Sequence, residues 1–560
     1  MGVYYLHEGG RVRISAQSSN SIQQTAQVNP GSLFVAAFVL ACLACPALPA
    51  AEITNTQVVV DITTATSSPI SAGFSGYNAP QLRNGVEYYD PKFVNVVTPL
   101  LPGWLRFPAG TASMAYDWNP QDASGGHINI AWMDSLIDGN PPEVTGTPAN
   151  VLEASQPLTQ AKGGVYLSDF ATFAKTFGAK AIICFNGYTD TNPGSATLMA
   201  QAAQNAGVNV IDWELANEAY LYPIIFPSAD AYAAAMYNPY FTGIESATPN
   251  ATVGVFIAGL FTGSQTCPTE PSCVNWDTTL SAYTPRYWSS VSMHVYPIGG
   301  IDSPSNSIEI LNGILAHATS EYISSYVDPL VGADTPIFIT ELNCCAPDSN
   351  QFLSFLYNGI FLAEYIVRMS AVPNVKAVGI NSLYTDSNDY HGMIQAGNSE
   401  TIENYLMGQV EANPTYSTDT ATNPNTQFQF YTSAPGLAME VANKAINNST
   451  AIWPTTVTGG PLVPIQGYGG QAIPAVYAQG YQGTGGTDYV VITNKSPATC
   501  TTTIQINGKR VSGQLNVTTV SSASALVANT ATAPNTVQIK TTTSTSPVSI
   551  GPYSVTVVNW

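Results

Sequence analysis

From residue 72 onward the chain alternates short apolar runs with longer stretches whose apolar positions recur every three or four residues. Short runs bounded by turn residues read as buried strands, and the longer periodic stretches read as helices that cover them. Eight such runs stand out: Gly73–Tyr77, Trp104–Phe107, Ala181–Phe185, Val210–Leu215, Val253–Ile257, Val291–Val295, Ile337–Thr340 and Val375–Ile380. The helical pattern falls on Leu167–Phe177, Ala196–Ala206, Ala229–Met236, Ile308–Thr319, Phe352–Met369 and Ala434–Ile446. Eight parallel strands with covering helices predict a closed (β/α)8 barrel.

Beyond about residue 450 the texture changes to Thr, Ser, Val and Gly, with period-two segments such as Tyr489–Thr493 and Ser554–Val558. This alternation predicts an antiparallel β-sandwich. The early strand Gln57–Asp61 has no helix partner and is expected to join it. The organisation that follows is a leader over 1–50, an N-terminal strand region over 51–71, a catalytic barrel over 72–448 and a sandwich over 449–560. Two long connections, 112–166 and 384–431, lie on the face where the strands end, the face on which barrels carry substrate sites.

The leader reading rests on the continuous apolar run Leu33–Cys45, followed by Pro46-Ala-Leu-Pro-Ala-Ala51. A short apolar segment followed by small residues is what a signal peptidase accepts, so the chain is expected to be secreted or periplasmic. A membrane anchor requires about 20 apolar residues, and prolines 46 and 49 interrupt this run, so no stable membrane insertion is expected after the signal is removed. Cys42 and Cys45 leave a lipoprotein anchor open.

Composition narrows the partners. Asp and Glu outnumber Lys and Arg by 36 to 16, a formal net charge of −20. Such a surface repels nucleic acid and anionic lipid, and it suits acidic surroundings, where protonation lowers its self-repulsion. Oligomeric state is left open. Among the cysteines that remain after the leader, Cys267 and Cys273 flank Pro-Thr-Glu-Pro-Ser and are candidates for a small stapled loop in a compartment that permits disulfides. For the adjacent Cys344 and Cys345, a vicinal disulfide and two separate thiols are both open. Cys184 reads as a buried strand thiol.

The chemistry is carried by two glutamates. Val210–Leu215 delivers Ala216-Asn217-Glu218 at its carboxyl end, and Ile337–Thr340 delivers Glu341 in the same way, on opposite sides of an eight-stranded ring. Glycosidic cleavage with retention requires an acid at the leaving oxygen and a carboxylate at the anomeric carbon about 5 to 5.5 Å away. Glu218 is therefore expected to be the acid/base and Glu341 the nucleophile. Glu214, four residues before Glu218 on the same strand, faces the barrel interior as a paired structural carboxylate. Arg106, in the middle of an apolar strand, requires a carboxylate partner inside the barrel, for which Glu341 is the candidate; a purely structural ion pair is the alternative. Its charge would keep Glu341 ionised, while drier or more negative surroundings would hold the proton on Glu218.

Trp213-Glu-Leu-Ala-Asn-Glu218 and Ile339-Thr-Glu341 resemble the two catalytic signatures of clan A glycoside hydrolases. Within the clan, Trp104-Leu-Arg-Phe-Pro-Ala-Gly-Thr111 followed by Tyr116-Asp-Trp118 most resembles family 79, the β-glucuronidase and heparanase group; the arabinofuranosidases of family 51 come second. The resemblance implies a retaining glycosidase acting on carbohydrate without cofactor or metal, an exo-β-glucuronidase in the family 79 reading and an α-L-arabinofuranosidase or endo-β-glycanase otherwise. It implies that Asn217 holds the sugar 2-hydroxyl, that Tyr296 donates a hydrogen bond to Glu341, and that His294 lines the same subsite. Tyr384, Asn186 and Tyr188 are candidates for the pocket wall. Ala216 and Ala219 stand where relatives commonly have Gly and Pro. The competing reading is a carbohydrate-binding protein with an inactive barrel, for which Trp118 and Trp132 would serve as platforms. Scattered His127, His294, His317 and His391 do not form a metal-ligand pattern.

Overall fold

The structure, a computed structural model, describes residues 56–79, 91–110, 167–188, 194–259 (224 aside), 271–299, 302–345 (319 aside), 350–385, 390–396, 430–466 and 472–560, with positions 88, 113–114, 116–117 and 127–128 between them. The leader, Cys267, Trp118, Trp132 and most of both long connections lie outside the described residues.

Eight parallel strands close into a barrel: β1 (Ser75–Asn78), β2 (Trp104–Phe107), β3 (Lys180–Phe185), β4 (Val210–Leu215), β5 (Val253–Phe256), β6 (Ser290–Val295), β7 (Ile337–Leu342) and β8 (Val375–Ile380). They pair in sequence order, and β8 pairs with β1 to complete the ring. Seven of the eight strands are buried throughout or but for one residue, as parallel strands must be when helices cover one face and the barrel core fills the other. β4 and β7 are three steps apart round the ring rather than diametrically opposed, with β5 and β6 between them on the short side. That spacing gives β6 a place in the site.

The floor of the barrel is a small apolar layer of Trp104, Ile182, Phe338 and Ala377. Gly76 and Gly379 make room for the Trp104 indole, since a Cβ at either position would overlap it. Period-two alternation then puts Arg106, two residues beyond Trp104, inside the barrel one layer higher. The same alternation from Phe338 would turn Thr340 inward and Glu341 out. β7 breaks the rule: Met293 pairs with Ile339 but His294 pairs with Glu341, so the register skips Thr340. This bulge re-aims Glu341 into the barrel mouth. Asn78 Nδ2 donates to the Thr340 carbonyl at 2.9 Å and satisfies one of the polar groups that the irregularity exposes.

The C-terminal region is antiparallel. A seven-stranded sheet includes Ser449–Trp453, Val476–Gly483, Asp488–Asn494, Ser554–Asn559 and Leu515–Ser521. A five-stranded sheet faces it, and within that sheet Gln57–Ile62 lies antiparallel to Thr455–Gly459 and parallel to Cys500–Ile506. Val58, Val60, Ile62, Val490, Ile492 and Ile504 form the core between the two sheets. The other face of the larger sheet packs Tyr481, Val491, Val555 and Val557 into the main core, against helices Leu356–Met369 and Ala434–Ile446. Ser433 caps the second of these helices by accepting from the Gly436 N–H, with Pro435 in the first turn.

One buried charge cluster ties sandwich to barrel. Glu364, on helix Leu356–Met369, accepts from Lys495 Nζ at 2.6 Å, from the Thr493 hydroxyl at 2.6 Å and from Arg368 at 2.8 Å. Burial would lift the Glu364 pKa, but the two cations outweigh it and hold the carboxylate below its ordinary range. The fold is thus the expected barrel with an appended sandwich that takes up the N-terminal strand. Among the described residues no helix is long and apolar enough to cross a membrane.

Candidate active site

Arg106 organises the site. It is fully buried, and each of its nitrogens donates: Nε to Glu214 Oε2 at 2.5 Å, Nη1 to Glu341 Oε1 at 2.7 Å and to Asn78 Oδ1 at 3.1 Å, and Nη2 to Asn217 Oδ1 at 2.9 Å and to Cys184 Sγ at 3.8 Å. Burial works against its charge, but Glu214 and Glu341 more than offset that and raise its pKa. Both open alternatives therefore hold together: the guanidinium makes a structural pair with Glu214 and also fixes Glu341. Cys184, expected as a buried thiol, lies directly beneath it and accepts from the Ser113 hydroxyl at 3.2 Å.

Glu341 receives a second donor on its other oxygen, the Tyr296 hydroxyl at 2.5 Å from Oε2. Tyr296 in turn accepts from Asn381 Nδ2 at 2.7 Å. Burial, reinforced by the neighbouring Glu341 charge, pushes the Tyr296 phenol well above its ordinary pKa, so it remains a donor. Gly110 closes over the carboxylate: a Cβ there would stand closer to Glu341 Oε1 than any real Cβ contact and 3.2 Å from Cδ.

Glu218 sits on the turn after β4 with φ of 47°, in the left-handed region, and Ala216 has φ of 61°. Glycine would meet no Cβ penalty at such a φ, whereas Ala216 adopts it with its Cβ in place. Glu218 Oε1 is 2.8 Å from His294 Nδ1 and accepts from the Tyr220 hydroxyl at 3.2 Å, while Oε2 is 3.3 Å from Asn217 Nδ2. His294 Nδ1 is also 3.6 Å from Glu341 Oε2. The two carboxylates therefore face each other across a single imidazole edge.

One electrostatic expectation is corrected. Burial does push the Glu218 pKa up, but His294 and Arg106 outweigh it, and the net direction is below the ordinary value of 4.5. In the free protein the surroundings favour the carboxylate, not the acid.

The remaining expected residues divide. Asn217 lies beside Glu218, held by Arg106 and by the Tyr188 hydroxyl, which donates to its carbonyl. Asn186 supports the site from below: its Nδ2 donates to the Tyr116 carbonyl at 2.9 Å and its Oδ1 accepts from the Tyr188 N–H. Tyr384, expected on the pocket wall, instead packs edge-on against Phe93 and Phe430 in the aromatic core. Cys344 and Cys345 are buried thiols with Sγ atoms 3.0 Å apart, beyond the roughly 2.05 Å of a disulfide. Cys267 is outside the described residues, while Cys273 falls within helix Pro271–Ala282 where a loop was expected. No group of three or more His, Cys, Asp or Glu that could hold a metal occurs among the described residues. Sequence reasoning passed over Tyr220, Asn78, Asn381 and Gly110; position two after Glu218 was the one available signal for Tyr220.

No protein-family profile matches the chain, and no curated protein matches it in sequence. Solved structures do match in fold, and these neighbours are clan A glycoside hydrolases. An α-L-arabinofuranosidase from Thermotoga maritima superposes with a TM-score of 0.61 at 17% identity, covering 90% of this chain and 99% of that one. The family 51 arabinofuranosidase from Xanthomonas axonopodis pv. citri gives 0.60 at 14% identity, with the same coverage. A 4-O-α-L-rhamnosyl-β-D-glucuronidase from Fusarium oxysporum 12S gives 0.52 at 13%, covering 89% of this chain and all of that one. At these identities the likeness is one of fold, and the chemistry has to be argued from the site.

Proposed function

We propose that this protein is a retaining glycosidase acting on a neutral sugar, with an α-L-arabinofuranoside as the first substrate to test. The observation that carries the mechanism is the pair of carboxylates on β4 and β7 bracketed by the His294 imidazole. Glu341, held by Arg106 and Tyr296, attacks the anomeric carbon to form a glycosyl-enzyme as the bond to the leaving oxygen breaks. Glu218 gives its proton to the departing oxygen, then takes one from the water that releases the sugar. The Asn217 amide, beside Glu218 and fixed by Arg106, holds the 2-hydroxyl in this reading, a contact that strengthens as positive charge develops on the ring.

Charge supports the neutral substrate. A uronic acid requires donors for its carboxylate, and a bidentate arginine is the strongest available. Arg106 is the arginine at the catalytic pair, and Glu214, Glu341, Asn217 and Asn78 already take up its nitrogens. Several other cationic side chains of the described residues are engaged elsewhere, such as Lys180 by the Ala72 carbonyl and Arg286 by the Val331 carbonyl. Arg83 and Lys162 fall outside the described residues. The names of the arabinofuranosidases that share the fold point the same way. The glucuronide reading, favoured by the opening motif, requires a carboxylate receptor built from other groups.

The test is hydrolysis of a panel of aryl glycosides, α-L-arabinofuranoside and β-D-glucuronide included, by the protein and by Glu341→Ala, with the anomer of the first product followed by NMR. Retained arabinose, absent from the variant, is expected. Preferential glucuronide turnover would move the substrate class, and an inverted first product would sink the mechanism. From the apolar run Leu33–Cys45 and the small residues after it we propose that the chain is exported, to be checked by N-terminal sequencing of the exported chain.

A further inference from the structure

Glu218 presents its two oxygens unequally. Oε1 faces His294 Nδ1 at 2.8 Å and the Tyr220 hydroxyl at 3.2 Å, whereas among the described residues the hydrogen-bond partner of Oε2 is the Asn217 amide at 3.3 Å. A carboxyl oxygen that already meets two donors has little capacity left for a mobile proton, which leaves Oε2 as the oxygen to take it when Glu218 is protonated.

Tyr220 cannot drift from this position. It is nearly buried, and its ring meets the edge of Trp276 with centroids 6.4 Å apart. Trp276 belongs to helix Pro271–Ala282, and its indole N–H donates to the Phe256 carbonyl, at the end of β5, at 3.0 Å. The next residue, Asp277, fastens the same helix to the same strand end by accepting from the Ala258 and Gly259 N–H groups at 2.6 and 3.1 Å. The Tyr326 hydroxyl, 3.0 Å away, completes its shell. One helix is thus pinned to the barrel rim by two consecutive side chains, and the ring of the first backs Tyr220.

We propose that Tyr220 is a positioning residue for the acid/base: backed by Trp276, it fixes the rotation of the Glu218 carboxyl so that Oε2, not Oε1, meets the leaving oxygen. The proposal rests on the glycosidase reading above. It separates the labour around Glu218, with His294 supplying charge and Tyr220 supplying orientation. Among the described residues the groups that face Glu218 are Asn217 and Tyr220 from its own turn, Arg106 from β2, Tyr188 from the end of β3, Tyr222 from the next turn, His294 from β6, Tyr296 just beyond it and Glu341 from β7. Burial aside, Tyr220 acts in the same direction as His294 and Arg106, favouring the ionised form.

The experiment uses the full chain. Tyr220→Phe removes one hydroxyl and leaves the ring contact with Trp276. Two glycosides of the same sugar are compared, one with a dinitrophenyl leaving group that departs without acid assistance and one with an alkyl leaving group that requires it. The expected result is an about ten- to hundredfold loss in kcat/KM on the alkyl glycoside, the effect of losing one hydrogen bond to a charged group, with a less than about threefold loss on the dinitrophenyl glycoside. The basic limb of the kcat/KM profile should move to higher pH, because a donor to the ionised form has been lost. Trp276→Phe, which keeps an apolar ring but loses the indole anchor, should show the same leaving-group asymmetry to a smaller degree. Equal losses on both glycosides, or an unmoved pH limb, would overturn the positioning role. Hydrolysis by the wild type that is abolished in Glu341→Ala keeps the glycosidase reading intact whichever way Tyr220→Phe falls. A wild type inert on every glycoside would remove that reading and this proposal together.

Discussion

Replacing Gly110 by alanine changes the nucleophile without touching it covalently. The added methyl would lie inside the 3.0 Å limit from Glu341 Oε1, 3.2 Å from its Cδ and 3.5 Å from Arg106 Nη1. The nearest obstacle is the end of a side chain, so the fold can absorb the change by swinging the carboxylate away by about 1 Å. That displacement acts on the 2.7 Å contact with Arg106 and on the 2.5 Å contact with Tyr296 at once. A misplacement of about 1 Å at a reacting group costs on the order of a hundredfold. The loss should fall on kcat more than on KM, since the attacking geometry and not the sugar contacts has moved. Steady-state kinetics on the best aryl glycoside, with a thermal melt to show that the fold survives, measure it. Activity within about threefold of wild type would show that Glu341 is not held where the account requires it.

Arg106→Met leaves Glu214 and Glu341 buried without their cation. Breaking such a buried pair costs about 3–5 kcal/mol, so a large fall in thermal stability should accompany complete loss of turnover. Since the Glu218 pKa is held below 4.5 chiefly by His294 acting against burial, kcat/KM on alkyl glycosides should decline as pH rises through that region. His294→Gln should then move this basic limb upward, as read from a pH profile of each protein. At the sandwich junction, Glu364 is held below its ordinary range, so its contribution to stability is present above the unfolded carboxylate pKa of about 4.3 and is lost as pH falls through the lower folded value. Lys495→Met should therefore lower the melting temperature by several degrees at neutral pH, and by less under acid, while leaving kcat unchanged.

The barrel was legible because parallel strands buried on both faces read as unbroken apolar runs, and helix Ala434–Ile446 because its cap and periodicity agree. The two glutamates were legible because each follows such a run. What the pattern hides is where regular geometry is broken. Simple alternation from Phe338 would point Glu341 outward, and the skipped pairing at Thr340 appears only in three dimensions. Tyr384 was misplaced for a similar reason: an aromatic just past a strand end suits a pocket wall and an aromatic core equally, and the rings of Phe93 and Phe430, far from it in sequence, decide. His294 was expected beside the nucleophile, yet it stands closer to the acid/base, because β6 lies on the short side between β4 and β7. Tyr220 carried no periodic signal, and its role depends on Trp276, brought to it by a helix more than fifty residues away.

The central claim is that Glu341 forms the covalent bond to sugar. Incubating the protein with a 2-fluoro-α-L-arabinofuranosyl donor carrying a dinitrophenyl leaving group, then mapping the added mass by peptide mass spectrometry, tests it most directly. One adduct on the peptide that contains Glu341, absent in Glu341→Ala and slow to clear from the wild type, is the predicted result. An adduct on Glu218, or turnover of the parent glycoside by Glu341→Ala at the wild-type rate, would contradict it.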